Sequence, residues 1–342
     1  MYIVTGAAGL IGSAVVRELN QNGIEKILCV DHLGESTKWK NLRNLCFLDY
    51  IEKDDFIRYL EEKDSLFYFG PVKGVIHLGA CSSTTETNAS YLMKNNFEYS
   101  KKLATMALKT KIRMIYASSA ATYGSGEQGF QDNEEDLDKL KPLNPYGYSK
   151  HIFDLWLKHQ GFFEPLPDKT YDREIRDKRP FVGLKYFNVF GPNEYHKGNM
   201  QSIVLKGFRQ IQSEGKLKLF KSYHQNFADG KQKRDFLYVK DAAKMTVFFL
   251  LEATTAFGIY NIGSGIASTW LEVSQYIFEA MDLKTNIEFV DMPENLKKTY
   301  QYYTKAPIDK LTKVGYSNPI TSLKEAIFDY VQNYLLKDEA NA

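Results

Sequence analysis

At 342 residues, with 44% hydrophobic and 25% charged side chains, the chain has apolar material for one large elaborated domain or two, and not for three. Basic and acidic residues number 44 and 42, and the resulting net charge of +2 gives no electrostatic footprint for nucleic acid or a membrane surface. The cysteines, Cys29, Cys46 and Cys81, are odd in number and lack metal-ligand spacing, which argues for a reducing, cytoplasmic setting and against a metal site.

The first element is a short apolar strand, Tyr2-Ile-Val-Thr5, followed by Gly6-Ala-Ala-Gly9-Leu-Ile-Gly12 and a helical period from Ser13 to Asn20. The apolar opening from Met1 to Val16 has no basic flank of the kind a signal peptide carries, and it reads as mature structure. No apolar run reaches the ~18 residues that span a bilayer, and Met245 to Leu251 is the longest near the centre. In the strand–glycine–helix arrangement Gly6 permits the tight turn, Gly9 lets the backbone approach a pyrophosphate, and Gly12 allows helix to pack closely on strand. The helix N-terminus offers its free N–H groups to the anion, so a dinucleotide is the expected ligand.

A second strand, Lys26 to Asp31, ends in an acid at the distance from the loop where such folds contact the adenosine ribose. Asp31 alone points to NAD, whereas Lys38 and Lys53 downstream can neutralise a 2′-phosphate or be plain solvated lysines; the residues leave this balance open. Further strands are expected at Leu45–Leu48 and Gly74–Leu78, with helical patterns between. That alternation implies right-handed crossovers and a parallel sheet covered on both faces, an α/β doubly wound fold of Rossmann type. After Leu78, the small polar stretch Gly79-Ala-Cys81-Ser-Ser-Thr-Thr-Glu86 falls at a strand's carboxyl end, where these sheets bind ligands, and serves equally as a helix cap.

The most informative stretch runs from a strand at Ile112–Ala117 through Ser118-Ser119-Ala-Ala-Thr-Tyr-Gly124 to Pro145-Tyr146-Gly-Tyr-Ser-Lys150, which opens a helix. Residues four apart share a helix face, so the Lys150 ammonium can lie beneath the Tyr146 phenol. Free tyrosine ionises near pH ~10, and an adjacent cation is expected to lower that value and fit Tyr146 to take a proton from a substrate hydroxyl as hydride leaves carbon. Tyr59 and Lys63 have the same spacing on a solvated helix, so the pattern alone says little; the serine cluster and the glycine loop single out Tyr146. Beyond this helix, Phe162 to Pro180 reads as a surface excursion and Phe181–Phe187 as another core strand. Residues Ser222 to Gln232 are polar and expected to be mobile, while Asp235–Leu251 and Gly258–Gly263 read as a helix and a strand that rejoin the sheet. The expected division is a dinucleotide-binding domain of residues 1–191 and 235–263, with a discontinuous substrate lobe of 192–234 and 264–342.

Taken together, the glycine loop, Ser119 and Tyr146-x-x-x-Lys150 resemble the extended short-chain dehydrogenase/reductase superfamily, whose members act on nucleotide sugars. More narrowly, Gly79–Glu86, Tyr116–Gly124, Tyr186-Phe-Asn-Val-Phe-Gly-Pro192, His196-Lys-Gly198 and Lys233-Arg-Asp-Phe236 are similar, in order, to the ADP-L-glycero-D-manno-heptose 6-epimerase family. The resemblance implies inversion of C6 of an ADP-heptose with bound NADP, for lipopolysaccharide inner core, by a cytoplasmic homo-oligomer, a pentamer in that family. It implies that Leu10 and Ile11 contact the phosphates, that Asp31, His32, Lys38 and Lys53 hold the adenosine end, and that Leu78, Gly79, Ala80, Cys81, Ser82, Asn95 and Val189 complete the cofactor shell. Ser119, Tyr146 and Lys150 match the redox centre; Asn188, Lys197, Arg234 and Tyr300 match substrate positions, and Lys197 also matches a second catalytic base. His32, Asn199 and Lys206 depart from the family's usual asparagine, serine and histidine. Phe220-Lys221-Ser222-Tyr223, also on the substrate side, is followed by extra residues before Lys233. Two rival readings share many of these motifs. A 4-epimerase or 4,6-dehydratase shares everything up to Lys150, but a dehydratase normally has an acid where Ala120 and Ala121 stand. A non-catalytic NADP-binding regulator usually lacks the Tyr or the Lys, and both are present.

Overall fold

A seven-stranded parallel sheet organises the computed structural model, which describes residues 1–164, 180–297 and 300–337. In chain order the strands are β1 (Tyr2–Thr5), β2 (Ile27–Asp31), β3 (Asp49–Glu52), β4 (Gly74–His77), β5 (Met114–Ser119), β6 (Phe181–Tyr186), β7 (Asn188–Phe190), β8 (Leu217–Phe220), β9 (Lys233–Tyr238), β10 (Gly258–Ile262), β11 (Ala267–Thr269) and β12 (Ile287–Val290). The large sheet has the order β3-β2-β1-β4-β5-β6-β10. Strand order reverses between β1 and β4, and a crevice opens there beyond their carboxyl ends. β2, β4, β6 and β10 are buried at every position, because helices cover both faces and leave no solvent side to alternate with. On one face α1 (Leu10–Gln21) packs Val15, Val16 and Leu19 with Met245 and Phe249 of the helix Val239–Leu251. α2 (Lys53–Lys63) contributes Phe56 and Leu60 to the other face. There α3 (Ala89–Leu92) leads through a π-helical turn, Met93–Glu98, into α4 (Tyr99–Lys109). Leu103 and Ala107 of α4 meet Phe153 and Leu157 of α5 (Pro145–His159).

Three expected elements differ. Leu45–Leu48 is loop, and β3 is Asp49–Glu52, paired with Leu28–Asp31; Leu45 and Phe47 are apolar because they pack on the α1-side core, while Leu48 is exposed. β5 ends at Ser119, so the two serines after the expected strand Ile112–Ala117 are its last residues, opposite Lys185 and Tyr186. Asp235–Leu251 is not one helix: Lys233–Tyr238 is β9, which pairs in parallel with β7 and antiparallel with β11, and the helix starts at Val239. Only β10 rejoins the large sheet.

β8 and β12 form a separate parallel pair. Around them Phe208, Ile211, Val273, Ile277, Ile327 and Tyr330 belong to a separate hydrophobic core. Ser222–Gln232 carries more contacts than a mobile polar loop needs: Ser222 N donates to Asp229 at 2.6 Å, Tyr223 N to the Tyr302 hydroxyl at 3.2 Å, and the His224 and Phe227 rings lie 5.0 and 5.7 Å from that of Tyr302. The excursion expected over Phe162–Pro180 falls largely outside the described residues; at its start Phe162 meets Phe181 edge-on at 4.9 Å. Among the described residues no helix is long and apolar enough to cross a membrane.

Candidate active site

The glycine loop is built by steric necessity at two positions. Gly6 has φ +70°, and a Cβ there would lie 2.7 Å from Gly79 N; a Cβ on Gly12 would lie 1.9 Å from the Gly6 carbonyl oxygen. α1 begins without a side-chain cap and without an acid in its first turn, so its free N–H groups can be offered to an anion. They open on a cleft of about 400 Å³ that reaches from Gly6, Gly9, Leu10, Ile11 and Gly12, past Leu78, Gly79, Ala80 and Ser82, to Ser119, Tyr146, Lys150, Asn188, Val189 and Lys197. An adjoining recess of about 160 Å³ is lined by Asp31, His32, Lys38, Lys53, Cys81 and Asn95. The two share Gly6, Asp31, Lys38, Gly79 and Ala80, which gives the long bipartite shape a dinucleotide needs.

In the recess, Asp31 accepts from Ala8 N at 2.7 Å, from His32 N at 2.7 Å and from the Lys38 ammonium at 2.5 Å. Lys53 donates to the Asn95 side chain at 2.7 Å, and His32 Nδ1 lies 3.1 Å from Glu52. Two lysines and one already engaged carboxylate thus line the same small space.

Asn144 accepts from Gly147 N at 2.7 Å and Pro145 takes the first helical position, so α5 starts sharply and aims Tyr146 and Lys150 at the end of β5. Tyr146 is buried, and its phenol is close enough to the Ser119 hydroxyl to be influenced by it. The expected lowering of the phenol by Lys150 is not found. Burial pushes the Tyr146 phenol above its ordinary value, with the Ser119 hydroxyl pulling it down and Cys81 adding to the rise. The Lys150 ammonium donates instead to the Ala117 carbonyl at 3.0 Å, and burial brings it down to about 8 against the opposing pull of Asp154 and Cys81. Lys197, which also lines the cleft, stands on the 3₁₀ segment Tyr195–Met200. Burial lowers its pKa, Glu194 opposes, and Lys206 lowers it further.

The remaining positions divide. Lys206 donates to the Asn199 carbonyl at 2.6 Å, and both are exposed outside the cleft. Phe220 ends β8, Lys221 and Tyr223 both bind Asp291, at 3.2 and 2.8 Å, and Ser222 is tied to Asp229; none of the four lines the cleft. Arg234 is buried, and burial brings it down to about 10. Its guanidinium lies 5.5 Å from the Tyr300 ring centre and 6.0 Å from that of Trp270, and among the described residues no carboxylate pairs with it. Gln301 and Thr304 line the cleft without having been singled out. They are held there because Thr304 N and the Tyr302 carbonyl pair with Lys233 of β9, and no local motif announces that. His196, read only as part of a motif, also lines the cleft; burial, Lys38 and Lys197 bring it down to about 4. Among the described residues no cluster of His, Cys, Asp or Glu could hold a metal ion.

A doubly wound sheet with a glycine loop at its switch point and a Ser–Tyr–Lys set beside it defines a dinucleotide-dependent enzyme of sugar-nucleotide type. The model of the NAD dependent epimerase/dehydratase family matches residues 2–263, and the chain belongs to this family; its cofactor class is a nicotinamide dinucleotide. The chain is 45% identical over 335 residues to ADP-L-glycero-D-manno-heptose-6-epimerase of Nitratidesulfovibrio vulgaris, with 98% of each chain covered. It is also 45% identical over 348 residues to the enzyme of that name from Fusobacterium nucleatum, with 99% of each covered. Among solved structures, Helicobacter pylori ADP-L-glycero-D-manno-heptose-6-epimerase has a TM-score of 0.74 at 24% identity, covering 97% of this chain and 95% of that one. UDP-N-acetylglucosamine 4-epimerase from Methanobrevibacter ruminantium has a TM-score of 0.77 at 23% identity, covering 98% of both. These two structures speak for the fold.

Proposed function

We propose that this chain inverts C6 of ADP-D-glycero-β-D-manno-heptose to give ADP-L-glycero-β-D-manno-heptose, through a transient 6-keto sugar with bound NADP, supplying heptose for lipopolysaccharide inner core in the cytoplasm. The observation that carries the reading is one cleft in which Tyr146, with Ser119 and Lys150, and Lys197 are presented from different elements. The full-length likeness to curated 6-epimerases supports the choice of sugar.

The hydrogen on C6 is not acidic enough for a side chain to remove, so inversion runs through oxidation and re-reduction. A bound nicotinamide supplies the chemistry of taking up hydride and giving it back. Tyr146 takes the hydroxyl proton as C6 becomes a ketone, and the Ser119 hydroxyl holds the same oxygen. Lys150, cationic below about pH 8, is the chain's own counter-charge for the phenolate. C6 is exocyclic, so rotation about C5–C6 turns the ketone over and moves its oxygen to the other side of the cleft. Lys197, on that side, protonates the oxygen as the C–H bond is remade; in the reverse direction its neutral amine takes the proton. Arg234, buried and, among the described residues, without an acidic partner, suits the diphosphate of the ADP group. Asn188 lines the cleft beside the sugar, and Tyr300, packed on Arg234, shapes the diphosphate end. In this reading residues 1–191 and 235–263 hold the cofactor, residues 192–234 and 264–342 hold the sugar nucleotide, and the enzyme works as a homo-oligomer, which sedimentation velocity checks.

NADP is favoured over NAD because Asp31 is already engaged by Ala8, His32 and Lys38, and Lys38 and Lys53 both line the adenosine recess. Nucleotide released on denaturation is expected to be NADP. NAD alone, with no preference for NADP on reconstitution, sinks this point. The reaction itself is tested by incubation with ADP-D-glycero-D-manno-heptose and NMR of the product, in which the C6 configuration must invert. Tyr146→Phe is expected to lose ~10²–10⁴-fold in turnover while retaining bound nucleotide, since only the phenolic oxygen is removed; turnover near the parent rate makes Tyr146 structural.

A further inference from the structure

Directly beneath the cleft lies a buried ion pair that the reaction above does not use. Asp154 on α5 and Lys185 on β6 are both fully buried, with Lys185 Nζ 3.1 Å from Asp154 Oδ2. The same carboxylate accepts from the Tyr116 hydroxyl at 2.9 Å and the Ser118 hydroxyl at 2.6 Å. Lys185 also donates to Thr122 Oγ1 at 2.5 Å and faces the Tyr123 ring at 4.8 Å. Well-packed apolar residues often replace such a pair without loss of stability, so a fold that needed only a staple between α5 and β6 would not require two buried charges.

The position of the pair suggests its use. Tyr146, Lys150 and Asp154 recur at four-residue spacing and share one face of α5. Ser118, held by Asp154, is the neighbour of Ser119. We infer that Asp154, held in place by Lys185, is a positioning residue that keeps Lys150 protonated beside Tyr146, a role that rests on the reading of Tyr146 and Lys150 as the redox centre. Lys150 is faced by Tyr146 and Asp154 from its own helix, by His77 on β4, by Cys81 just after β4 and by the Ala117 carbonyl on β5, with Lys185 behind Asp154. Of the titratable groups around it, Asp154 favours the Lys150 cation most and Cys81 follows, while burial works against it and His77 is held neutral. Removing the carboxylate therefore takes away the largest opposition to burial and leaves only that of Cys81, so the Lys150 proton is lost at lower pH.

The test compares the parent with Asp154→Asn, the double variant Asp154→Asn/Lys185→Met, and Ser118→Ala. The double variant leaves no unpaired buried charge and so covers the case in which the single one fails to fold. In ligand-free protein the titration of the Lys150 side chain is followed by NMR of selectively labelled lysine. The alkaline limb of epimerisation is measured alongside. Asp154→Asn is expected to lower the Lys150 midpoint by about one pH unit, the scale of a single neighbouring charge, and the double variant to lower it by less, because loss of the Lys185 cation offsets part of the change; the alkaline limb shifts the same way in both. Ser118→Ala keeps the charge and is expected to leave the midpoint in place. An unchanged midpoint in a folded double variant, or an equal shift in Ser118→Ala, overturns the role and makes the pair a structural staple. A midpoint that moves in a parent inactive on ADP-heptose sinks the substrate reading while the charge coupling stands.

Discussion

Among single residues, His77 shows how a buried titratable group is kept neutral below the cofactor shell. The Ser100 hydroxyl donates to the Asn96 carbonyl at 2.6 Å, so its oxygen accepts from His77 Nε2–H at 2.8 Å. Nδ1 is then the acceptor for the Thr5 hydroxyl at 2.6 Å, and the Thr5 oxygen in turn accepts from Gly79 N at 3.1 Å. The neutral ring is satisfied on both sides, and burial, with Lys150 nearby, brings its pKa down to about 3. An unfolded chain takes up this proton near pH ~6.5, so the stabilisation is complete above that value and is lost as pH falls through ~6.5 toward the folded value. Urea midpoints measured between about pH 7 and about pH 4 are expected to fall more steeply for the parent than for His77→Gln. Parallel profiles in the two proteins would show that His77 does not set this window. The same logic separates what was legible from what was not at this scale. The spacing of Gly6, Gly9 and Gly12 is dictated by local backbone contacts and could be read directly; the neutrality of His77 and the raised Tyr146 phenol depend on burial that only the folded sheet creates.

At the scale of elements, two short 3₁₀ segments, Thr37–Leu42 and Tyr195–Met200, are fastened to the glycine loop by two asparagines. Asn41, 2% exposed, donates to the Ala8 carbonyl at 2.8 Å and to the Asn193 carbonyl at 3.0 Å. Asn193 donates to the Ser13 hydroxyl at 2.9 Å, which donates to the Gly9 carbonyl at 2.7 Å. The segment that carries Lys197 is thereby registered against the phosphate loop. Asn41→Ala leaves buried carbonyls short of a donor, an effect of about 1–3 kcal/mol. The expected result is a lower Tm and faster release of bound nucleotide, followed by loss of nicotinamide fluorescence on dilution; unchanged release would show that the two segments do not hold the cofactor. Nothing in the sequence around Asn41 announces this, because an asparagine between lysines and leucines reads as surface. The misplaced strand at Leu45–Leu48 has the opposite cause. Four apolar residues suggested sheet, but only Leu45 and Phe47 pack on the α1-side core, and the less apolar Asp49–Glu52 makes the pairing with β2.

For the whole molecule, the decisive arrangement is a cleft between the large sheet and later stretches of the chain that pass over it. Tyr146 comes from α5, Lys197 from the segment after β7, and Gln301 and Thr304 from a stretch pinned to β9. Sequence order separates these residues widely, and it is pairing between distant stretches, such as that of Tyr302 and Thr304 with Lys233, that brings them to one cleft. In this arrangement Lys197 is where a binding role and a catalytic role differ most sharply. A lysine there can serve as a phosphate contact, for which a cation is best, or as a base, for which the neutral amine must be accessible. Burial, reinforced by Lys206 and resisted by Glu194, lowers its pKa and so raises the neutral fraction near neutral pH. Lys197→Met is therefore expected to reduce epimerisation ~10²–10⁴-fold in both directions, the range of a general acid–base group. Affinity for a non-reacting ADP-sugar should weaken by less than about tenfold, or 1.4 kcal/mol. Measuring kcat for each epimer beside Kd for the inert ligand separates the two roles. Intact kcat with a raised Kd would leave Tyr146 as the only proton-transfer group, and the inverted hydroxyl would then have to return to the Tyr146 side of the cleft.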